Sequence, residues 1–149
     1  MPNDTALIRC SNCGTVNRIH PGKLHESPRC GKCKAPLRIP NRPVIVTASD
    51  FDREVVKWPG LVLIEFWTPF CVHCQAMAPV LDALARERAG KLKIVKINAE
   101  REPMLARQFS IMGTPAFLLY RNGNKLGEIP GALPKAQLEK WIDSEGNYE

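Results

Sequence analysis

The hydrophobic residues are distributed differently in two parts of the chain. Up to residue 40 they are scattered among glycine, proline and cysteine residues. They are too few to form a core alone, so this part needs a metal or crosslinks to fold. From residue 44 they form periodic runs, and the prolines in residues 39–43 indicate a linker between the two parts. We therefore expect two domains, residues 1–40 and residues 41–149.

The periodic part predicts alternating strands and helices. The run at residues 61–67, LVLIEFW, is almost continuously apolar, as in a strand buried on both faces. Asn122-Gly123 predicts a tight β-hairpin, and Ser49 with Asp52 predicts a helix start. The pattern predicts strands at 44–46, 61–67, 92–98, 116–120 and 125–129, and helices at 49–58, 72–89, 102–109 and 134–143. This order predicts an α/β fold, with a mixed central sheet flanked by helices.

Composition narrows the class of protein. Apolar residues make up 44% of the 149 residues and charged residues 24%, as in soluble globular proteins. No apolar run approaches the roughly 20 residues of a membrane span, so we expect no membrane partner. The first residues, MPND, lack the features of a secretory signal. We therefore expect a cytoplasmic protein.

The net charge of +6 lies mostly in the first forty residues, which hold seven basic and two acidic side chains. A metal bound by four thiolates in this part would lower its net charge to about +3. This excess is modest, and we do not expect a nucleic-acid partner.

All six cysteines fall in Cys-x-x-Cys pairs. Because reducing compartments keep thiols reduced, such pairs point to metal binding or redox catalysis rather than to structural disulfides. The pair Cys71/Cys74 follows the predicted buried strand and begins a predicted helix, where free N–H groups and the helix dipole stabilise a thiolate. We interpret Cys71 as the nucleophile of disulfide exchange and Cys74 as the resolving thiol. Buried structural cysteines, or half of a zinc site, are the alternatives.

Several motifs of this part resemble the thioredoxin family. Residues 64–79, IEFWTPFCVHCQAMAP, are similar to its active-site segment, and residues 111–116, IMGTPA, to its cis-proline loop. With the four-cysteine leader, the chain resembles the bacterial thioredoxins that carry an N-terminal zinc ribbon. The resemblance implies a thioredoxin fold and a protein dithiol–disulfide oxidoreductase that serves in electron transport. Its partners would be disulfide-containing proteins and a thioredoxin reductase or its equivalent.

The resemblance also assigns roles to residues around the cysteine pair. Pro115 should follow a cis peptide bond and present the backbone of Thr114 to an extended substrate segment. Phe70 stands at the substrate-binding position where the family usually has tryptophan. An ordinary trans loop proline is the alternative for Pro115.

Glu65 is the charged residue within the apolar run, so burial should raise the pKa of its carboxyl group. The family has an acid here, usually aspartate, thought to exchange protons with the resolving cysteine. Lys96 matches the lysine partner of that acid in the family, and simple exposure on an alternating strand is the other interpretation of Lys96.

His73 is the main departure from the family, which usually has Gly-Pro between the two cysteines. A histidine here resembles the active sites of disulfide oxidases and isomerases. In its protonated form His73 would stabilise the Cys71 thiolate and make the disulfide more oxidising by tens of millivolts. In its neutral, solvated form it would have no such effect.

Cys10, Cys13, Cys30 and Cys33 have the spacing of a four-thiolate zinc site, with 16 residues between the pairs. Such a closed site is structural, and we expect Gly14 and Gly31 to permit its tight turns. Two disulfides, or iron in place of zinc, are the alternatives. We expect His20 and His25 to lie at the surface.

Three functions remain compatible with these residues. The first is reduction or exchange of disulfides in other proteins through Cys71 and Cys74. The second is net thiol oxidation or isomerisation, which His73 suggests. The third is a zinc-containing redox-sensing adaptor without turnover.

Overall fold

The computed structural model describes residues 5–146, so the outermost residues of both predicted domains lie outside the described part. The described chain contains seven strands and three α-helices. The strands are β1 (Ala6–Arg9), β2 (Val16–Ile19), β3 (Val44–Ile45), β4 (Leu61–Trp67), β5 (Leu92–Asn98), β6 (Ala116–Arg121) and β7 (Asn124–Pro130). The helices are α1 (Val72–Glu87), α2 (Pro103–Gln108) and α3 (Lys135–Gly146).

Five strands form one mixed sheet in the order β3-β5-β4-β6-β7. The central strand β4 is parallel to β5 and antiparallel to β6. Its residues from Val62 to Phe66 are all buried, as the continuous apolar run predicts. The predicted α/β architecture, a mixed sheet with flanking helices, is confirmed.

Strand alternation sends the side chains of this sheet into two hydrophobic clusters. One contains Leu63, Ile94 and Phe117 together with Met77 and other buried residues of α1 and α3. The other contains the intervening strand residues and packs against α2 and the segment before β4. The sheet is therefore covered on both faces, which explains why β4 shows no alternation of polar and apolar residues.

Strands β6 and β7 form the predicted hairpin around Asn122 and Gly123. Both residues have positive φ angles, 51° and 82°, as a two-residue type I′ turn requires. A Cβ atom at position 123 would lie 2.8 Å from the carbonyl oxygen of Val56. Glycine is therefore needed here both for its backbone conformation and for close packing.

The prediction of a regular helix at residues 49–58 is wrong. The segment contains a 3₁₀ turn, Ala48–Asp50, followed by a π-helical turn, Asp52–Val56. The cap is Thr47 rather than Ser49, because the Asp50 carboxylate accepts the Thr47 backbone N–H at 2.7 Å.

The segment predicted as the first domain is described from residue 5 to residue 40 and is called the ribbon below. It is built on the antiparallel pair β1–β2. Its small buried cluster contains Ile8, Cys10, Cys30 and Leu37. The ribbon contacts the main domain through Arg9, whose Nε donates a hydrogen bond to the Lys57 carbonyl oxygen at 2.8 Å. Leu24 lies close to Gly90 on the same interface. The ribbon is therefore attached to the main domain by side-chain contacts as well as by the linker.

No helix of residues 5–146 is long and apolar enough to cross a membrane.

Candidate active site and metal centre

The cysteine pair lies between the end of the central strand β4 and the first turn of α1. Cys71 is the N-cap of α1, with an extended backbone conformation, and its sulfur accepts the N–H of Cys74 at 3.1 Å. The two sulfurs are bonded as a disulfide in this structure, and the Cα atoms of the pair are 5.1 Å apart. Cys71 is partly exposed, whereas Cys74 is 4% exposed. One sulfur is therefore open to a substrate, and its partner is protected behind it.

The Thr114-Pro115 peptide bond is cis, as the resemblance implies. The Cys71 sulfur lies 3.4 Å from the carbonyl oxygen of Thr114, and the hydroxyl groups of Thr68 and Thr114 lie 3.4 Å apart. The loop before β6 and the segment after β4 therefore meet at the reactive sulfur. Pro115 itself is buried.

Exposed apolar side chains flank the pair along the chain. Phe70 is 87% exposed and Val72 is 73% exposed, and Met112, two residues before Thr114, is 96% exposed. Only Phe70 was singled out from the sequence, because the sequence pattern does not show which apolar residues lack a partner in the fold. His73 is also exposed and stands between the two cysteines at the start of α1.

Glu65 is completely buried in the middle of β4. Neither of its carboxylate oxygens has a hydrogen-bond partner among the described residues. Burial raises the pKa of Glu65 to about 7, against a smaller lowering by the charge of Lys96. The predicted rise is confirmed, and its cause is the removal of the carboxylate from water.

Glu65 and Cys74 lie on the same side of the sheet. Glu65 lies two residues after Leu63 on β4, so both side chains are on the face that packs against α1. Cys74 lies one helical turn before Met77, which packs in the same cluster. Lys96 is the register neighbour of Glu65 on β5, and its Nζ lies 5.1 Å from the ring centroid of Trp67. The buried indole N–H of Trp67 has no hydrogen-bond partner among residues 5–146, a feature that the sequence did not suggest.

The ribbon brings four sulfur atoms together. Cys10, Cys13, Cys30 and Cys33 place their Sγ atoms within 4.8 Å of one another. The Cys10–Cys33 and Cys13–Cys30 sulfur pairs are each 3.6 Å apart. This is close to the roughly 3.8 Å edge of a tetrahedron with 2.3 Å zinc–sulfur bonds, and far beyond a disulfide bond of about 2.05 Å.

Backbone N–H groups point at these sulfurs, as they do around metal-bound thiolates. The Cys10 sulfur accepts the N–H of Cys13 at 3.5 Å, and the Cys30 sulfur accepts that of Cys33 at 3.5 Å. The Cys33 N–H, followed by that of Lys32, lowers the pKa of Cys30 to about 6 against the opposing effect of burial. The donor set therefore fits a soft divalent cation such as zinc.

The two turns that carry these cysteines are equivalent, but the prediction that Gly31 permits the second turn is wrong. Gly14, four residues after Cys10, has a φ of 81°, as expected. In the second turn the same position is Lys34, with a φ of 68°, so Gly31 does not provide the left-handed residue. Instead the Gly31 N–H donates to the side chain of Asn17 at 2.9 Å.

The histidines of the ribbon lie outside the cluster. His20 and His25 are both exposed. His20 caps a 3₁₀ turn, where its Nδ1 accepts the N–H of Gly22 at 3.1 Å. Their predicted place at the surface is confirmed.

Two family models match this chain. Thioredoxin matches residues 42–144, and the N-terminal segment of thioredoxin 2 matches residues 9–35. Thioredoxin 1 of Nostoc sp. is 37% identical over 98 residues, which cover 66% of this chain and 92% of the relative. The chloroplastic M-type thioredoxin of Pisum sativum is 36% identical over 103 residues, which cover 69% of this chain and 60% of the relative.

The pKa of Glu65 predicts how stability depends on pH. Between about pH 4.5 and 7 the unfolded chain ionises this residue while the folded chain keeps it protonated, so folding stability falls as pH rises. Glu65→Gln removes this penalty. The variant should therefore gain stability over the parent as pH rises. The difference between their free energies of unfolding should grow by about 2–3 kcal/mol from pH 5 to pH 8.

Urea denaturation of the oxidised proteins at both pH values measures this difference. Glu100→Gln, at an exposed carboxylate, is the control and should stay within about 0.5 kcal/mol of the parent at both. A Glu65→Gln difference that does not change with pH would contradict the assignment.

Proposed function

The chain belongs to the thioredoxin family and is a protein dithiol–disulfide oxidoreductase, and from this premise we propose that Cys71 is the attacking sulfur and Cys74 the resolving one. The observation that supports this assignment best is the position of Cys71 as N-cap of α1, with the Cys74 N–H directed at its sulfur at 3.1 Å. An N–H donor and the positive end of a helix dipole both stabilise a thiolate relative to a thiol.

The reaction consists of two exchanges. The Cys71 thiolate attacks one sulfur of a substrate disulfide, forms a mixed disulfide and displaces the other substrate sulfur as a thiolate, which takes up a proton. The Cys74 thiolate then attacks the Cys71 sulfur and releases the second substrate thiol. Two electrons pass to the substrate, and the enzyme is left with the Cys71–Cys74 disulfide. A thioredoxin reductase or an equivalent dithiol donor returns it to the reduced form, which completes an electron-transport step.

Glu65 is the proposed proton carrier for Cys74. Cys74 must lose its proton before it attacks, and it is too buried to lose it directly to bulk water. Glu65 lies on the same side of the sheet, and its pKa of about 7 lets it accept and return a proton near neutral pH. An aspartate would reach less far into this space, so the extra methylene of Glu65 brings its carboxyl group further from β4.

The loop around Pro115 is the proposed substrate-binding edge. The Thr114 carbonyl oxygen faces the Cys71 sulfur at 3.4 Å, so an extended substrate segment that pairs with Thr114 would place its disulfide at Cys71. Exposed Phe70, with Val72 and Met112, offers apolar surface on which the flanking residues of a substrate can pack.

We propose that residues 1–40 form a structural zinc ribbon and residues 41–149 the redox domain, in a cytoplasmic protein. The support for zinc is the four-sulfur cluster with near-tetrahedral spacing. When bound, zinc would supply the crosslink that the four buried residues of the ribbon core cannot replace. The support for the boundary is the stretch at residues 37–43, which contains neither strand nor helix.

His73 favours a second, more oxidising variant of the same function. It is exposed on the first turn of α1, between the two reactive cysteines. A protonated imidazole there stabilises the Cys71 thiolate, and therefore the reduced enzyme, so the disulfide becomes the better oxidant. In that case the protein would exchange or isomerise disulfides as well as reduce them.

The assignment of the two sulfurs predicts opposite behaviour of two serine variants. Cys74→Ser keeps the nucleophile but cannot resolve, so it should accumulate mixed disulfides with a substrate such as insulin. Cys71→Ser should form none, and both variants should lose insulin-disulfide reduction. Non-reducing gel electrophoresis and mass spectrometry measure the adducts. Equal trapping by Cys71→Ser would contradict the proposal.

Zinc binding predicts one metal ion per chain that depends on the ribbon cysteines. Cys30→Ser should lose the metal, because Cys30 is fully buried among the other sulfurs, and the ribbon should unfold while insulin reduction persists. Ser11→Ala, at an exposed residue between two of the cysteines, is the matched control and should keep one zinc. Elemental analysis gives the content, and undiminished zinc in Cys30→Ser would overturn the assignment.

The effect of His73 is measured by titrating the Cys71/Cys74 couple against glutathione. His73→Ala should make the potential more negative by a few tens of millivolts, since about 30 mV corresponds to one pKa unit for a two-electron couple. Arg86→Ala removes a cation about 20 Å along the same helix and should leave the potential unchanged. An unchanged potential in His73→Ala would reject the proposal that His73 makes the protein more oxidising.

A further inference from the structure

A second concave site lies between the ribbon and the redox domain. A cavity of about 690 Å³ is lined by residues of both domains and of the linker. The ribbon contributes Arg9 and Arg38, the linker contributes Arg42, and the redox domain contributes Trp58 and Lys93 among others. We call this cavity the interdomain cleft.

The interdomain cleft is separate from the dithiol site. Trp58 precedes β4, and Lys93 is the second residue of β5, so both lie at the amino ends of the central parallel strands. Cys71 follows the carboxyl end of β4, about 20 Å away along a seven-residue strand. A ligand in the cleft therefore does not occupy the surface at which disulfides react.

Two of the cations in the cleft are already paired within the redox domain. Lys93 is buried, forms an ion pair with Glu54 at 2.6 Å and lies 3.9 Å from the ring centroid of Trp58. Arg53 pairs with the same Glu54 at 3.0 Å. These contacts hold the wall of the cleft around Trp58 in place. They also neutralise Glu54, the carboxylate that lines the cleft.

Three guanidinium groups of the cleft have no carboxylate partner among residues 5–146. Within the described part of the chain, Arg9 donates to two backbone carbonyl oxygens, those of Lys57 and Gly14, at 2.8 and 2.7 Å. Arg38 and Arg42 are exposed, and neither forms an ion pair with any residue in the described range 5–146. An uncompensated cluster of arginines in a concave site attracts anions, and Arg9 is held in place by its two backbone acceptors.

We propose that the interdomain cleft binds a small organic phosphate with at least two negative charges. Guanidinium groups recognise phosphate oxygens through paired hydrogen bonds. Three guanidinium groups carry more positive charge than a single carboxylate could neutralise. The volume lies within the roughly 300–1,000 Å³ typical of small-molecule sites. Apolar lining from Ile39, Pro40 and Trp58 offers a surface for the organic part. A nucleoside diphosphate has both parts, so ADP is the probe.

The test is calorimetric titration of the zinc-loaded full-length chain with ADP at about 0.15 M salt, where nonspecific charge effects are screened. We expect saturable binding of one ADP per chain and none of adenosine. The double variant Arg38→Gln/Arg42→Gln should weaken binding at least tenfold. The control Arg101→Gln/Arg107→Gln removes the same charge from exposed positions outside the cleft and should bind as the parent does.

Insulin reduction and zinc content of the cleft variant should match the parent, so failure of this proposal is distinct from failure of the proposed function. Absence of saturable binding, equal binding of adenosine, or an equal loss in the control variant would overturn the proposal. A short RNA that binds more tightly than ADP through Arg38 and Arg42 would also overturn it, in favour of a nucleic-acid surface.

Discussion

The pairing of β4 on both edges is the constraint on which the rest of the molecule depends. This strand is hydrogen-bonded along its length to β5 on one side and to β6 on the other, and each of its inner residues is buried. A shift of register by one residue would exchange its side chains between the two packed clusters. Its carboxyl end is therefore fixed, and so is the segment that leads four residues later to Cys71. The loop before β6 is fixed by the same sheet, which is why the Thr114 carbonyl oxygen reaches the Cys71 sulfur.

The same enclosure determines the chemistry of Glu65. A carboxylate placed in any exposed strand would be solvated, whereas here both oxygens lack hydrogen-bond partners among the described residues. The fold is therefore less stable when Glu65 is ionised, and in return it keeps a proton acceptor that titrates near neutral pH. In the proposed mechanism, Glu65 links the packing of the central strand to the reactivity of Cys74, the buried thiol in the first turn of α1.

The elements that the sequence predicted best are those whose structure is determined by a single local pattern of residues. The continuous apolar run gave β4 with its observed bounds, and Asn122-Gly123 gave the hairpin, because only small or polar residues adopt the positive φ angles of its turn. Residues 48–58 were predicted less well. Their helical periodicity is real, but the chain between Thr47 and Pro59 must also pack Val55 into the core, and it forms 3₁₀ and π turns. Gly31 was misjudged because a polar residue other than glycine, Lys34, takes the left-handed position of this turn, and its Nζ donates a hydrogen bond to the Gly31 carbonyl oxygen at 3.0 Å.

Features of the site that depend on pairs of distant segments were outside the reach of sequence patterns. The exposure of Met112 and the interdomain cleft both result from how two segments meet, and neither leaves a local signal. The cleft exists because the ribbon has too small a core to be independent and docks beside the amino ends of β4 and β5, through Arg9 and Leu24. Docking at the carboxyl ends would have covered Cys71. The observed arrangement leaves the dithiol free for protein substrates and places the arginines of the ribbon and linker together on the opposite edge of the sheet.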